Sequence, residues 1–529
     1  MASHLEANPN MQCVVNFTPV LLEQIEDYGV QCKNWLKTGE AFSDPLLNYL
    51  AGITPIPKDT EAREELIRIC LRANASQMIH PYENFSRLLE TARIENDQSV
   101  IDPKQVAYLN DQFFYDLLTW YHIAWLGYSV KQLPIIQGMI NKGEFFTAED
   151  RTQLIQVFEQ VMNKLIERYR QLADKDQVEL AMTPYAHPIM PLLIDFKSMH
   201  DALPEAVAPM SHNYPGGYDR AVWHMEYGIE VFERFFKRRP QGIWLSEGAV
   251  SEQAVKLLDR FDIKWTASGE GVWHNSSYLS DLDVNDPETR QNLFSCNRLE
   301  KANACLFFRD DGLSDLIGFE YQSWNPDDAV ADFVNHVHNI AKFLQHSDDE
   351  HVVSVILDGE NAWEYYPDNG FHFLNKLFKA LSESKEVETC TFAHASDSCC
   401  SVSLPKLCAG SWVYGSFSTW IGEQDKNHGW DLLVAAKQAY DKNIGHLTLD
   451  EKQRAQLQLA VCEGSDWFWW FGDYNPSDSV RDFDSLYRLQ LQHLYQLLKL
   501  EIPDTLFTAI SEGGGDAENA GTMRRGHDG

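Results

Sequence analysis

The sequence predicts an α/β protein, a barrel-like set of parallel strands with a helical insertion, followed by a C-terminal α-helical domain. Three observations predict it. Short apolar runs alternate with helix-patterned stretches through residues 1–400. One long block within that region carries only helical periodicity. Beyond about residue 405 the chain has aromatic loops and helices.

The first strand-like run is CVVNF, 13–17, and it ends in Thr18-Pro19. Thr18 is an N-cap and Pro19 suits the first helical position, so a helix opens there. A helical insertion follows over about 58–172, with apolar residues three and four apart in EAREELIRICLRA and VAYLNDQFFYDLLTWYHIAWLG. Thr147 to Asp150 is a T-x-x-D capping signal for its last helix. Strands and helices then alternate. VELAM (178–182), GIWL (242–245), IKWTA (263–267), ACLFF (304–308), VVSVIL (352–357) and VETCTFAHA (387–395) read as strands. Between them lie helices at AVWHMEYGIEVFERFF before Pro240, at 251–261 with Ser251 as cap, and at 327–345. The first run and these six make seven strands, and alternation with helices means parallel pairing. Residues 405–505 are expected to form the helical domain, and 506–529 a disordered tail without apolar pattern.

Composition narrows the partners. The 529 residues carry 44 Lys+Arg against 78 Asp+Glu, a net charge of −34. That excess opposes nucleic acid and anionic membrane surfaces and suits a neutral substrate. No signal peptide and no apolar run of about 18 residues is visible, so a cytoplasmic protein is expected. The ten cysteines form no C-x-x-C pair, and no H-E-x-x-H, G-x-G-x-x-G, Walker or G-x-S-x-G motif occurs. No metal or cofactor is expected.

Two strand ends carry the chemistry. GIWL is followed by Ser246-Glu247-Gly248, and VVSVIL by Asp358-Gly359-Glu360. In a parallel barrel both carboxylates share the C-terminal face. Two carboxyls across one pocket are what glycoside hydrolysis uses, and retention of configuration requires a separation of roughly 5–5.5 Å. The plain alternatives are an Asp-Gly turn at Asp358 and a helix-start neutraliser at Glu247. Glu179 lies within VELAM, and His187 follows in a Pro-rich loop. Trp244, Trp273, Trp363, Trp412, Trp420 and Trp430 fall in or near polar, loop-like stretches, as rings that stack on sugars do, or as a protein-interaction surface does.

At these residues the sequence resembles glycoside hydrolase family 57, the α-amylase and 4-α-glucanotransferase family. GIWLSEGAVSE is similar to the segment of the nucleophile, which implies that role for Glu247. VVSVILDGENAWEYY is similar to the acid/base segment, which implies Asp358. DQVELAMTPYAHPIMPLL resembles the segment whose Glu and His line the substrate site, here Glu179 and His187. GSWVYGSFSTWIGEQDKNHGWDLL resembles the last family segment, with Trp420, Asn427, Trp430 and Asp431 at its positions. The resemblance implies an incomplete (β/α)7 barrel, a retaining double displacement, α-glucan or maltooligosaccharide substrates and no obligatory metal. The family's opening strand with a His-Gln-Pro motif has no counterpart, so the barrel is expected to lack it. Two other classes follow from the same residues: an α-glucan-binding or regulatory paralogue without catalysis, and a metal-dependent deacetylase or mannosidase. An absent Asp/His ligand cluster speaks against the latter.

Overall fold

The computed structural model describes residues 1–93, 101–516 and 521–526. Its strands are β1 (Cys13–Phe17), β2 (Val178–Met182), β3 (Trp265–Gly269), β4 (Cys296–Leu299), β5 (Cys305–Arg309) and β6 (Ser401–Leu404). β1 and β2 pair in parallel with Cys13 opposite Val178. Parallel bridges then join Met182 to Ile243, Gly242 to Trp265 and Arg309 to Ser354, and β3 runs parallel to β5. Neighbours therefore follow in chain order around a curved parallel sheet, with the expected strands at 242–245 and 352–357 reduced to bridges. Every residue of β2, β3 and β5 is buried, as parallel strands covered on both faces require. β4 runs antiparallel to β5 and parallel to β6. No described helix is long and apolar enough to cross a membrane.

The sequence reading needs correction in two places along this sheet. Residues 387–395 form no strand. Thr391 caps a helix over Phe392–Ser398, its hydroxyl taking the His394 N–H at 3.2 Å, and the Ala393 N–H goes to Glu179 Oε2 at 2.8 Å. Backbone donors that a ladder needs are spent on side chains there. β4 and β6 were not expected from the pattern. No described strand carries a His-Gln-Pro motif, and the edge of β1 away from β2 has no strand partner among the described residues.

The long helices match their signals. α1 (Pro19–Thr38) starts with Thr18 and Pro19, and α2 (Ala148–Ala173) opens on a complete capping box between Thr147 and Asp150. Between them the insertion has its own core, in which Phe85 stacks on buried Trp120 at 5.7 Å. α3 (Gly217–Phe236) backs β2, and Gly228 lets the two approach closely, since a Cβ there would come 2.7 Å from the Met182 methyl and 3.2 Å from the Tyr185 backbone nitrogen. Residues 94–100 of the expected insertion lie outside the described residues.

The C-terminal helices, among them α4 (Gln424–Asn443), α5 (Leu449–Cys462) and α6 (Ser477–Leu497), surround Trp430, Phe468 and Tyr487. Ile189, Leu192, Phe196 and Met199, from the segment after β2, enter the same apolar cluster. The parallel sheet and the helical region thus share a core. The expected disordered tail is also corrected in part. Ile510 and Ser511 are buried, and Gly521–Gly526 packs between the sheet's C-terminal end and the helical region. Its arginines find aromatic and acidic partners that apolar periodicity does not reveal. Residues 517–520 and 527–529 of that tail lie outside the described residues.

One polar cluster bolts the two regions together. Glu463, just past α5, accepts from the Tyr214 hydroxyl at 2.5 Å and from Arg220 Nη2 at 2.7 Å, and His224 Nε2 lies 2.8 Å away. Burial pushes Glu463 upward, but the Arg220 charge and bonds from His224 and Arg220 outweigh it and hold the carboxyl at about 2. Glu463→Gln leaves the Arg220 charge buried and unpaired, and should lower stability by about 3–5 kcal/mol in urea unfolding. The Glu463 contribution is full above the ordinary carboxylate value of 4.5 and is lost as pH falls toward about 2. The gap between native protein and variant should therefore close over that window.

Candidate active site

The acids predicted from strand ends come together at the C-terminal end of the parallel sheet. After the bridges at 242–243 the chain turns through Ser246–Gly248 with Glu247 in the left-handed region, φ 59° and ψ 24°. That conformation is strained for a side chain bearing a Cβ, and it is held by the surroundings. The Gly410 segment clamps it. Val250 and Gly410 exchange two backbone bonds of 2.8 and 3.1 Å, and the Trp412 N–H donates to the Glu247 carbonyl at 3.2 Å. The Trp412 indole N–H donates to Glu247 Oε2 at 2.9 Å. On the other oxygen, His187 Nε2 lies 3.8 Å away, and its Nδ1 shares a 2.7 Å hydrogen bond with Ser465. His187 too has a positive φ, 60°.

Asp358 follows the 352–357 segment and accepts from the Asn361 amide at 2.9 Å. Burial and then the Glu360 charge raise Asp358 to about 7, against lowering by Asn361 and Arg309. Burial first, and the Asp358 charge second, raise Glu247 well above the ordinary range, against the Trp412 hydrogen bond. The two carboxyls therefore feel one another, and both are held toward their protonated forms. Two acids whose titrations depend on one another can divide the roles of proton donor and nucleophile.

Arg309, at the end of β5, was not singled out from sequence. Its guanidinium pairs with Asp311 at 2.8 Å and Asp315 at 2.6 Å, and its Nε donates to the Ile356 carbonyl at 2.9 Å, two residues before Asp358. Its guanidinium carbon lies 5.2 Å from the Trp412 ring centre. One buried cation thus touches the carriers of both acids. The rule that found Glu247 and Asp358, polar groups at the end of a buried strand, reaches Arg309-Asp310-Asp311 as well. Ser465 has no such signal; only the fold brings it to His187.

The remaining expected site residues are placed as follows. Trp244 is buried and meets Trp412 nearly edge-on at 5.1 Å. Trp363 is half-buried against Tyr366, at 5.5 Å. Glu179 points into the barrel and is engaged on both oxygens, by the Trp265 indole at 2.6 Å and the Ala393 N–H at 2.8 Å. Trp420 and Trp430 are fully buried, joined by a 3.0 Å bond from the Trp430 indole to the Trp420 carbonyl. Asn427 holds Gly422 and Val207, and Asp431 takes the N–H groups of Met210 and Ser211. As folded, these four brace the loops around the site from within the helical core.

The cavity beside Asp358 is about 30 Å³, lined by Arg309, Trp412, Trp469, Met523 and Arg524 among others. A far larger space of about 670 Å³ lies at the opposite end, next to Gln12 and Gln177, which immediately precede β1 and β2. Parallel sheets bind ligands at the C-terminal ends of their strands, so the smaller cavity marks the site. Among the described residues no group of three His, Cys, Asp or Glu side chains is placed to hold a metal ion.

A family model described as Glycosyl hydrolase family 57 matches residues 38–401. No curated protein sequence matches the chain. Among solved structures, a GH57-type branching enzyme from the hyperthermophilic archaeon Pyrococcus horikoshii is 14% identical, with a TM-score of 0.52. The match covers 98% of this chain and 91% of that one. The alpha-amylase AmyC from Thermotoga maritima is 13% identical with a TM-score of 0.53, covering 94% of this chain and 85% of that one. At such identities the shared property is the fold.

The raised acids make a stability prediction. A carboxyl whose folded value is raised keeps its proton while the unfolded chain gives its own up, so native stability falls from the ordinary value of 4.5 upward until pH reaches the folded value and is level beyond it. Glu247→Gln ionises in neither state. Its melting temperature should exceed that of the native protein by a few degrees, an advantage that is small near pH 4 and grows as pH rises from the ordinary carboxylate value of 4.5. Calorimetry from pH 4 to pH 8 checks this, and a constant or negative difference contradicts it.

Proposed function

Because the chain belongs to glycosyl hydrolase family 57, we propose that it is a retaining glycosidase or transglycosylase acting on α-glucans by double displacement. One observation carries the reading: Glu247 and Asp358, both half-buried, lie at the same end of the sheet close enough for the charge of Asp358 to raise Glu247. Glu247 attacks the anomeric carbon as Asp358 protonates the glycosidic oxygen, so the C–O bond breaks and a glycosyl ester forms. Asp358, now a carboxylate, takes a proton from water or a sugar hydroxyl. That oxygen then attacks the same carbon and releases Glu247. The Trp412 indole, donating to Glu247 at 2.9 Å, favours its ionised form and offsets part of the rise that burial and the Asp358 charge impose. The solved α-amylase and branching enzyme support α-glucan as the substrate class.

A second reading, glucan binding without turnover, draws on the cavity of only about 30 Å³ beside Asp358. Incubation with maltoheptaose separates the readings. Shortened chains indicate hydrolysis, redistributed lengths indicate transfer, and binding without product indicates a lectin-like role. Glu247→Gln should abolish turnover while the fold persists; retained activity sinks the assignment.

Trp412→Phe removes a donor to a charged group, an effect of about 1.5–3 kcal/mol. The expected loss in kcat/KM is about 10- to 100-fold, with the acidic limb of the pH–rate profile moved upward. An unmoved limb contradicts the role given to Trp412.

A further inference from the structure

We propose that the C-terminal segment Gly521–Gly526 is an intramolecular inhibitor, seated in the mouth beside Asp358 and displaced by the glucan. The displacing ligand rests on the reading given under Proposed function; the seating of the segment does not.

The segment is held along its length. The Gly521 carbonyl accepts from the Trp469 indole at 2.8 Å. Met523 is 9% exposed, packs with Phe319 and Ala362, and lines the same cavity as Asp358. The Arg524 guanidinium lies 4.6 Å from the ring centres of both Trp469 and Tyr474, and it donates to the Thr419 hydroxyl at 3.2 Å. Arg525 covers the Phe319 ring at 4.6 Å and pairs with Glu320 at 3.0 Å. The Gly526 N–H donates to Asp315 at 3.0 Å, and its carbonyl takes the Tyr414 N–H at 3.1 Å. A Cβ on Gly526 would fall 2.6 Å from the Asp311 carboxyl, so this end of the segment fits only as glycine.

What the segment covers is the route to the acids. With Met523 and Arg524 in place the cavity holds about 30 Å³, room for a water or two, whereas ligand pockets run to roughly 300–1,000 Å³. The rings under Arg524 and Arg525 are flat apolar faces of the kind that stack on sugars, now covered by guanidinium. A neutral glucan must displace two cations from a mouth that includes Asp315, Glu320 and Asp358. Because the segment is tethered, its local concentration is on the order of millimolar, and the apparent affinity of any competitor falls by the open fraction. The ionic share of the seating is screened by salt, while binding of an uncharged sugar is not.

The test uses the full chain throughout. Glu320→Arg and the double variant Arg524→Glu/Arg525→Glu should each lower KM for maltoheptaose about tenfold or more at 50 mM salt. The native protein should approach them at 0.5 M salt. Glu320→Arg combined with Arg525→Glu rebuilds the ion pair with its charges exchanged and should restore the high KM, which a generally loosened fold does not do. Unchanged KM in both Glu320→Arg and the Arg524→Glu/Arg525→Glu double variant, or no restoration in the exchanged pair, overturns inhibition. Trypsin reads the seating without any sugar: cleavage after Arg524 should be several-fold faster in Glu320→Arg than in the native chain, and equal rates overturn the docking. Faster cleavage with no binding or turnover of maltoheptaose retains the docked segment and overturns the glucan reading instead.

Discussion

A single carboxylate that never meets solvent, Glu463, holds the geometry on which the site depends. Arg220, His224 and Tyr214 reach it from α3 and the loop before α3, while its own backbone continues into Gly464 and Ser465. Ser465 holds the His187 ring and accepts nothing less than close approach of the chains, since a Cβ on Gly464 would come 3.1 Å from the Ala186 carbonyl. A buried ion pair gives little net stability compared with apolar packing, but it tolerates very few alternative arrangements. Here it fixes how the barrel wall and the helical region meet, and through His187 it reaches the carboxyl of Glu247.

Around that anchor the site accumulates unfavourable local features. Glu247 and His187 both adopt left-handed backbone, and two half-buried acids lie within range of one another's charge. Neither arrangement survives in an isolated peptide. The Val250–Gly410 bridge, the Trp412 indole and the Arg309 guanidinium supply the constraint from three directions. The strain lies where two carboxyls with raised values meet, a pattern more common at functional sites than among structural ion pairs.

Much of this was legible in the chain. The ends of the apolar runs GIWL and VVSVIL marked Glu247 and Asp358, and both runs do reach the sheet, though through isolated bridges rather than full strands. Helix starts were equally plain, as with Thr147, Ser251 and Thr18. Other features depend on contacts between distant segments. The apolar alternation of 387–395 resembles a strand, yet Glu179 and Thr391 take its backbone donors and a helix forms. Trp420 and Trp430 read as loop aromatics because their neighbours are polar, while the fold buries them completely. Gly521–Gly526 has no periodicity at all; its placement comes from two arginines finding Trp469, Tyr474, Phe319 and Glu320. Pattern reports what a segment buries on one side, and it is silent about partners hundreds of residues away.

The clasp between the segment after β2 and the residues past α5 also governs when the protein becomes itself during synthesis. His187 and Ser465 are 278 residues apart in sequence. At about 5–20 residues per second a ribosome needs about 14–56 s to cover that distance. Throughout that interval His187 is without the Ser465 bond, and the apolar residues 189–199 wait for the helical core that will cover them. That apolar face is therefore exposed on the nascent chain until the residues past α5 have been made, and the His187 ring takes up its place only then.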